Sequence, residues 1–116
     1  MPYIKEENRL TLDDCIDNMV VCLKNSAFRA SFDPNKNNYL NEELSNEDVL
    51  AIVGDINYCI SRVVSKLMGK PSYSKIAMIT GVLENIKQEF YRRIGVSLED
   101  KKIIENGDIP EYKRLC

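Results

Sequence analysis

The feature that most constrains the fold is a run of apolar residues between positions 49 and 67. Their spacings are 4, 3, 4, 3 and 4, the heptad pattern of a helix that presents one apolar edge to another helix. We name this edge the seam; it consists of Val49, Val53, Ile56, Ile60, Val63 and Leu67. Ile52 and Val64 widen it. The pattern predicts a helix of about 20 residues whose apolar edge needs a partner.

Capping and breaking residues bound this helix and introduce the next one. Ser45 and Asp48 have the spacing of a capping box, and Gly69 followed by Pro71 predicts the stop. Ser72 or Ser74 can begin a second helix, whose apolar residues before Gly95 are Ile76, Ile79, Leu83, Ile86, Phe90 and Ile94. Because so few residues connect the two helices, we predict an antiparallel helical hairpin with arms at about 46–68 and 74–94.

The rest of the chain predicts shorter elements. Thr11 and Asp14 resemble a capping box, which places an N-terminal helix at about 11–25. A short C-terminal helix follows from Ser97 and ends at the turn dipeptide Asn106-Gly107. Residues 26–44 predict an Asn-rich loop or insertion, and residues 108–116 predict an extended tail. Since no strand-like alternation occurs, we expect an all-α fold: a small helical bundle in a single domain, residues 1–116.

The composition excludes several classes of site. The chain has no histidine, which removes Ser-His and Cys-His nucleophile pairs, His-ligated metals and the usual general base. Its four cysteines include no C-x-x-C pair, so we expect reduced thiols and no metal site or cofactor. The N-terminus lacks the apolar core of a signal peptide, and no apolar run approaches a membrane span. These features predict a cytoplasmic protein that does not enter the membrane.

One carboxylate pair raises the question of magnesium-dependent chemistry. All-α Mg²⁺-dependent nucleotide pyrophosphohydrolases carry Glu-x-x-Glu and Glu-x-x-Asp pairs on facing helices. Asp14 and Asp17 have this spacing, but the hairpin supplies no matching pair. Favourable charges near a helix N-terminus are the simpler interpretation. A Mg-dependent nucleotide hydrolase is therefore the third functional hypothesis, and we identify no catalytic residue.

Two clusters combine aromatic and charged side chains. The first consists of Asp55, Tyr58 and Arg62, and the second of Tyr91, Arg92 and Arg93. Tyrosine rings can stack on a ligand while arginine contacts an anion, so either cluster is a candidate site for a small nucleotide or anion. The structural alternative is an intrahelical cluster beside a close helix crossing at Gly54 and Gly81, with the later arginines complementing a helix dipole. A net charge of −2 with interspersed signs argues against nucleic acid as a partner.

Several short stretches also carry a family resemblance. They are MPYIK (1–5) with Arg9, GDINY (54–58) with Ile60 and Arg62, GVLE (81–84), EFYRR (89–93), EDKKI (99–103) and ENGD (105–108). Together they resemble a family of small uncharacterised helical proteins of bacteria and their phages, over most of the chain apart from 26–44. The resemblance implies a bacterial or phage protein and no known activity. It also makes residues 99–108 the first place to look for an interface.

The leading functional hypothesis is a non-enzymatic helical interaction module that self-associates into a homo-oligomer through the second and third helices, with the seam as its predicted contact. The alternative is a small nucleotide- or anion-binding protein, for example a phage protein that sequesters a host signalling nucleotide. The first hypothesis rests on the heptad spacing, and the second rests on the two clusters of aromatic and charged residues.

Overall fold

A computed structural model describes residues 3–27 and 43–115 of the chain. The described residues form α-helices and one π-helical segment, and they contain no strand, which confirms the predicted all-α class. The Asn-rich loop predicted at 26–44 lies mostly outside the described residues. Two compact units are present: an N-terminal unit, Tyr3–Pro71, and a C-terminal unit that begins at Ser72. The antiparallel hairpin would join these units, and it stays a prediction.

The N-terminal unit consists of α1 (Glu6–Ala27) and α2 (Asn46–Met68), which pack against each other. The predicted start of the first helix at Thr11 is wrong, because α1 begins at Glu6. Glu6 and Glu7 place negative charge in the first turn, where the helix dipole favours it, and no glycine or proline interrupts the chain before Thr11. The capping box of α2 is confirmed: Asp48 N–H donates to Ser45 Oγ (3.2 Å), and Ser45 N–H donates to Asp48 Oδ2 (3.0 Å).

The core of the N-terminal unit is small. Ile52 is 3% exposed and is the one buried hydrophobic residue in the described part of the chain. Residues 23–27 of α1 are half-buried, as are Asp55, Ile56 and Cys59 of α2. Ser26 Oγ donates a hydrogen bond of 2.7 Å to Asp55 Oδ2, which joins the two helices at this contact. By contrast, residues 6–19 of α1 are all exposed.

The C-terminal unit contains one continuous helical stretch from Tyr73 to Asn106. It comprises α3 (Tyr73–Phe90), a π-helical segment (Tyr91–Gly95) and α4 (Val96–Asn106). The predicted helix end at Gly95 is therefore wrong. Gly95 has right-handed helical angles, φ −64° and ψ −47°, and Val96 N–H donates to Tyr91 C=O in the i→i−5 pattern of a π-turn. The short C-terminal helix does not begin separately at Ser97.

Capping and turn residues close in sequence set the ends of the helices in this unit. Ser72 caps α3 by accepting from Lys75 N–H at 3.2 Å, as one of the two predicted caps. Gly107 ends α4 with φ +81°, a conformation that L side chains rarely adopt. The tail predicted as extended instead contains a one-turn helix, α5 (Pro110–Lys113). Pro110 stands in its first turn, where the fixed φ of proline suits a helix and the missing N–H is not needed.

Candidate functional site

The seam lies on the exposed side of α2. Ile56 is half-buried, while Val49, Val53, Ile60, Val63 and Leu67 are between 41% and 80% exposed. With about 100° of rotation per residue, Ile52 and Cys59 face α1 on a flank of the helix about 70° from the centre of the seam. Contact with α1 therefore covers one apolar face of α2, and a second apolar face, the seam, stays exposed.

The structure divides the cluster of Asp55, Tyr58 and Arg62. Asp55 accepts from Ser26 of α1 and belongs to the contact between the two helices. Arg62 Nη1 donates to Tyr58 Oη at 2.8 Å, and its guanidinium carbon lies 5.6 Å from the centre of that ring. This distance suits a cation–π contact. Tyr58 and Arg62 thus form an exposed aromatic–cationic pair, with Tyr58 on the face of α2 opposite the seam.

The helix crossing suggested at Gly54 and Gly81 would join the two units, and it stays a prediction. Apart from the adjacent residues and the nearby backbone of its own helix, no described atom comes within 4 Å of the position that a Cβ would take at Gly54, and the same holds at Gly81. Each glycine thus costs its helix stability without providing space for a neighbouring group within the described chain.

The cluster of Tyr91, Arg92 and Arg93 falls in the π-helical segment. Arg92 Nη2 makes a 2.6 Å ion pair with Glu89 Oε1. One cation of this candidate anion site is therefore already paired with a carboxylate of the same helical stretch. Tyr91 Oη donates to Glu99 Oε1 at 2.6 Å, across two helical turns. This hydrogen bond and the negative charge of Glu99 raise the pKa of Tyr91 above the ordinary value of a tyrosine, because both favour the neutral phenol. Arg93 is exposed.

Sequence reasoning missed the reason for Gly95. A Cβ at this position would lie 2.7 Å from Cδ2 and 2.9 Å from Cε2 of Tyr91, closer than carbon atoms approach in proteins. The tyrosine ring therefore lies against the bare Cα of Gly95 and extends on to Glu99. We name these three residues the Tyr91 clamp. The spacing of four residues between Tyr91, Gly95 and Glu99 could have indicated this contact. The sequence alone instead indicated Gly95 as the end of the helix.

Two grooves accompany these surfaces. One lies on α1 and is entirely apolar; its lining residues are Leu12, Cys15, Ile16, Met19, Val20 and Leu23. The other lies where the chain turns from α4 towards α5, within the stretch singled out as a candidate interface; its lining residues are Glu99, Lys102, Ile103, Asn106, Gly107, Asp108, Ile109 and Tyr112. In the second groove Lys102 Nζ pairs with Glu105 Oε2 at 3.2 Å.

The remaining candidate groups are dispersed. Asp14 and Asp17 are exposed on α1. Within residues 3–27 and 43–115, no group of three or more His, Cys, Asp or Glu side chains is placed to hold a metal ion. Cys15 and Cys22 are exposed free thiols, and Cys59 is a half-buried one. None of the described helices combines the length and the apolarity that a bilayer span requires.

These features define a small all-α protein whose conspicuous surfaces are apolar helix faces. The chain belongs to the family described as Domain of unknown function (DUF6899), whose family model matches residues 1–109. The matched range contains every stretch on which the resemblance was based, and membership of an uncharacterised family is confirmed. Comparison with curated proteins gave no match, and comparison with solved structures gave none either.

Proposed function

We propose that this protein is a non-enzymatic interaction module that self-associates through the seam of α2. The observation that carries the proposal is the contrast between Ile52, which is 3% exposed, and the seam, where five of six residues are more than 40% exposed. A soluble chain rarely leaves a row of large apolar side chains in water unless another molecule covers it.

The free energy available from covering the seam is similar in size to the cost of association. Its exposed fractions add up to about two and a half fully exposed side chains, and burying each would contribute about 1.5–3 kcal/mol. Two copies together would gain about 8–15 kcal/mol. The loss of translational and rotational freedom costs about 4–15 kcal/mol. The balance supports association that depends on protein concentration.

A second copy offers the spacing that the seam requires of a partner. The seam alternates spacings of three and four residues, so its side chains can insert between those of another helix with the same repeat. A second copy of α2 supplies this repeat at equal length. The Tyr58–Arg62 pair would remain outside such an interface, because Tyr58 lies on the opposite face of the helix.

Sedimentation velocity over a range of concentrations would test the proposal, with two variants that carry the same new charge. Ile60→Lys places an ammonium group in the seam and should weaken self-association at least tenfold. Ser65→Lys places it about 140° further round the same helix, at an exposed position, and should leave association within twofold of the wild type. A wild-type chain that sediments as a monomer at every concentration would refute the proposal.

Binding of a nucleotide or anion is the second candidate, and the exposed Tyr58–Arg62 pair favours it. The ring offers a stacking surface, and the guanidinium offers donors to a phosphate. Thermal shift with a panel of nucleotides would test this candidate: Arg62→Glu should abolish any shift that the wild type gives, whereas Lys101→Glu, the same charge change at an exposed position outside α2, should preserve it. A shift that persists in Arg62→Glu would exclude this pair as the site.

A further inference from the structure

The apolar groove on α1 is a second exposed apolar surface of the N-terminal unit. We name it the α1 groove; its lining residues are Leu12, Cys15, Ile16, Met19, Val20 and Leu23. Leu12, Ile16 and Met19 are between 39% and 54% exposed. Together with Leu23 they follow at spacings of 4, 3 and 4, which is the repeat of the seam. Over about 16 Å of its length, α1 therefore presents a heptad edge of its own.

Both helices of this unit carry an apolar sector that is wider than a single neighbour needs. With about 100° of rotation per residue, the α1 groove covers about 140° of α1, from Cys15 to Val20. On α2, the sector from Cys59 to Val53 includes the flank against α1 and the seam, and it covers about 120°. A helix with one partner uses a narrower edge, whereas each helix of a four-helix bundle packs against two neighbours. Within the described part of the N-terminal unit, each helix has one such neighbour.

The α1 groove and the seam reach the same contact from the two helices. Leu23, at the end of the α1 groove, is half-buried and lies one turn before Ser26. Ile56, in the seam, is half-buried and directly follows Asp55. Ser26 and Asp55 join the two helices by their hydrogen bond of 2.7 Å. Since all four residues belong to one compact unit, this arrangement does not depend on the C-terminal unit.

We propose that a second copy of this chain covers the α1 groove as well as the seam, so that α1 and α2 of two copies form a four-helix bundle. The inference rests on the proposed function and deepens it, because it adds α1 to the interface and sets the number of copies at two. In this bundle each helix packs against one helix of its own chain and one of the second copy. Both copies contribute the same surface, as a two-fold symmetric interface requires.

The area that a stable dimer needs supports a second copy as the occupant. A standard interface buries about 800 Å² on each partner, of which about 500 Å² is apolar. With about 100 Å² for each fully exposed large side chain, the seam supplies about 250 Å² and the α1 groove about 200 Å². The seam alone reaches about half of the requirement, and the two surfaces of this unit together come close to it. A second copy also supplies two further helices with the same heptad repeat.

The decisive comparison uses two substitutions on α1 of the full-length chain that add the same charge. Ile16→Lys places an ammonium group in the α1 groove and should raise the dissociation constant at least tenfold in sedimentation velocity, because burying an unpaired charge is costly. Asn18→Lys places it about 160° away on the same helix, at an exposed position, and should change the dissociation constant less than twofold. If Ile60→Lys weakens association and Ile16→Lys does not, this inference is overturned while the proposed function stands. A wild-type monomer at every concentration would overturn both.

The number of copies is a separate readout. Sedimentation equilibrium of the wild type should fit a monomer–dimer equilibrium with no larger species, because a four-helix bundle covers both apolar surfaces of each copy. A trimer, or an assembly that keeps growing with concentration, would overturn the four-helix arrangement and leave association through the seam in place.

Thiol labelling of the wild type avoids the risk that Ile16→Lys fails to fold. Cys15 is an exposed free thiol that lines the α1 groove. Its rate of reaction with excess maleimide, located by mass spectrometry, should fall several-fold as the protein concentration rises through the dissociation constant. In Asn18→Cys, the introduced thiol lies outside the groove and should react at the same rate throughout. If Cys15 reacts equally fast in the monomer and in the dimer, coverage of the α1 groove is refuted.

Discussion

Replacing Gly95 by alanine is the perturbation that the structure predicts in most detail. The new Cβ would lie 2.7 Å from Cδ2 of Tyr91, where carbon atoms prefer about 3.5–4.0 Å. The ring must therefore retreat by about 1 Å, and since Tyr91 is half-exposed it can do so towards solvent. That movement lengthens the 2.6 Å contact between Tyr91 Oη and Glu99 Oε1 beyond hydrogen-bonding distance.

The effect on stability should be small, because two terms oppose each other. Alanine is favoured over glycine inside a helix by about 1 kcal/mol. Displacement of the ring and loss of the clamp act in the opposite direction. We therefore expect the unfolding free energy of Gly95→Ala to lie within about 1 kcal/mol of the wild type, so thermal denaturation is a poor readout of the clamp.

The ionisation of Tyr91 is the sharper readout. Glu99 raises the pKa of Tyr91 in the folded protein, so Gly95→Ala should lower that pKa towards the ordinary tyrosine value. Ultraviolet titration of phenolate absorbance measures it, with Tyr91→Phe subtracted to remove the other tyrosines. If the pKa of Tyr91 is the same in Gly95→Ala as in the wild type, the ring does not depend on the glycine and the argument fails.

The sign of the pH dependence follows from the same contact. The folded-state pKa of Tyr91 is raised, so the clamp stabilises the fold fully below the unfolded value of about 10. This stabilisation is lost as the pH rises through the folded pKa. Urea unfolding should therefore show the wild type losing more stability than Tyr91→Phe in alkaline solution, and parallel curves would contradict the assignment.

The remaining predictions concern the helices themselves. Ile52→Ala should destabilise the N-terminal unit by about 2–5 kcal/mol in urea unfolding, because Ile52 is 3% exposed, while Leu50→Ala at a 73% exposed neighbour should cost under about 1 kcal/mol; equal losses would contradict the α1–α2 contact. Ser45→Ala should cost about 0.5–2 kcal/mol by removing the cap of α2, and a neutral result would mean that the capping box does not form in solution. Gly81→Ala should stabilise the chain by up to about 1 kcal/mol, since a Cβ there meets open space; weaker self-association in this variant would place Gly81 against a partner.

What the sequence predicted well was local. Ser45 and Asp48 bond to each other across one turn, and Gly107 reverses the chain through its own φ, so neither needs information from elsewhere. The pairing of Tyr58 with Arg62 is likewise a contact between successive turns of α2. For such features, the spacing of the residues in the sequence is enough to predict the contact.

Two features could not be predicted from the sequence: a contact between residues far apart in the chain, and the role of a glycine that has more than one possible use. Asp55 was grouped with its neighbours on α2, but its partner Ser26 lies 29 residues away, and spacing does not reveal a contact at that separation. Gly95 was ambiguous for another reason, since glycine serves both a positive φ and a close approach of a side chain. Only the position of the Tyr91 ring shows which of these applies.

The hydrogen bond between Ser26 and Asp55 also bears on the order in which the chain folds. It links residues 29 positions apart, so α1 and α2 must close a long loop before Ile52 is covered. In the stretch from Tyr73 to Asn106 the described contacts link residues close in sequence, which favours rapid formation. The C-terminal helical stretch would thus be formed while the N-terminal unit is still closing.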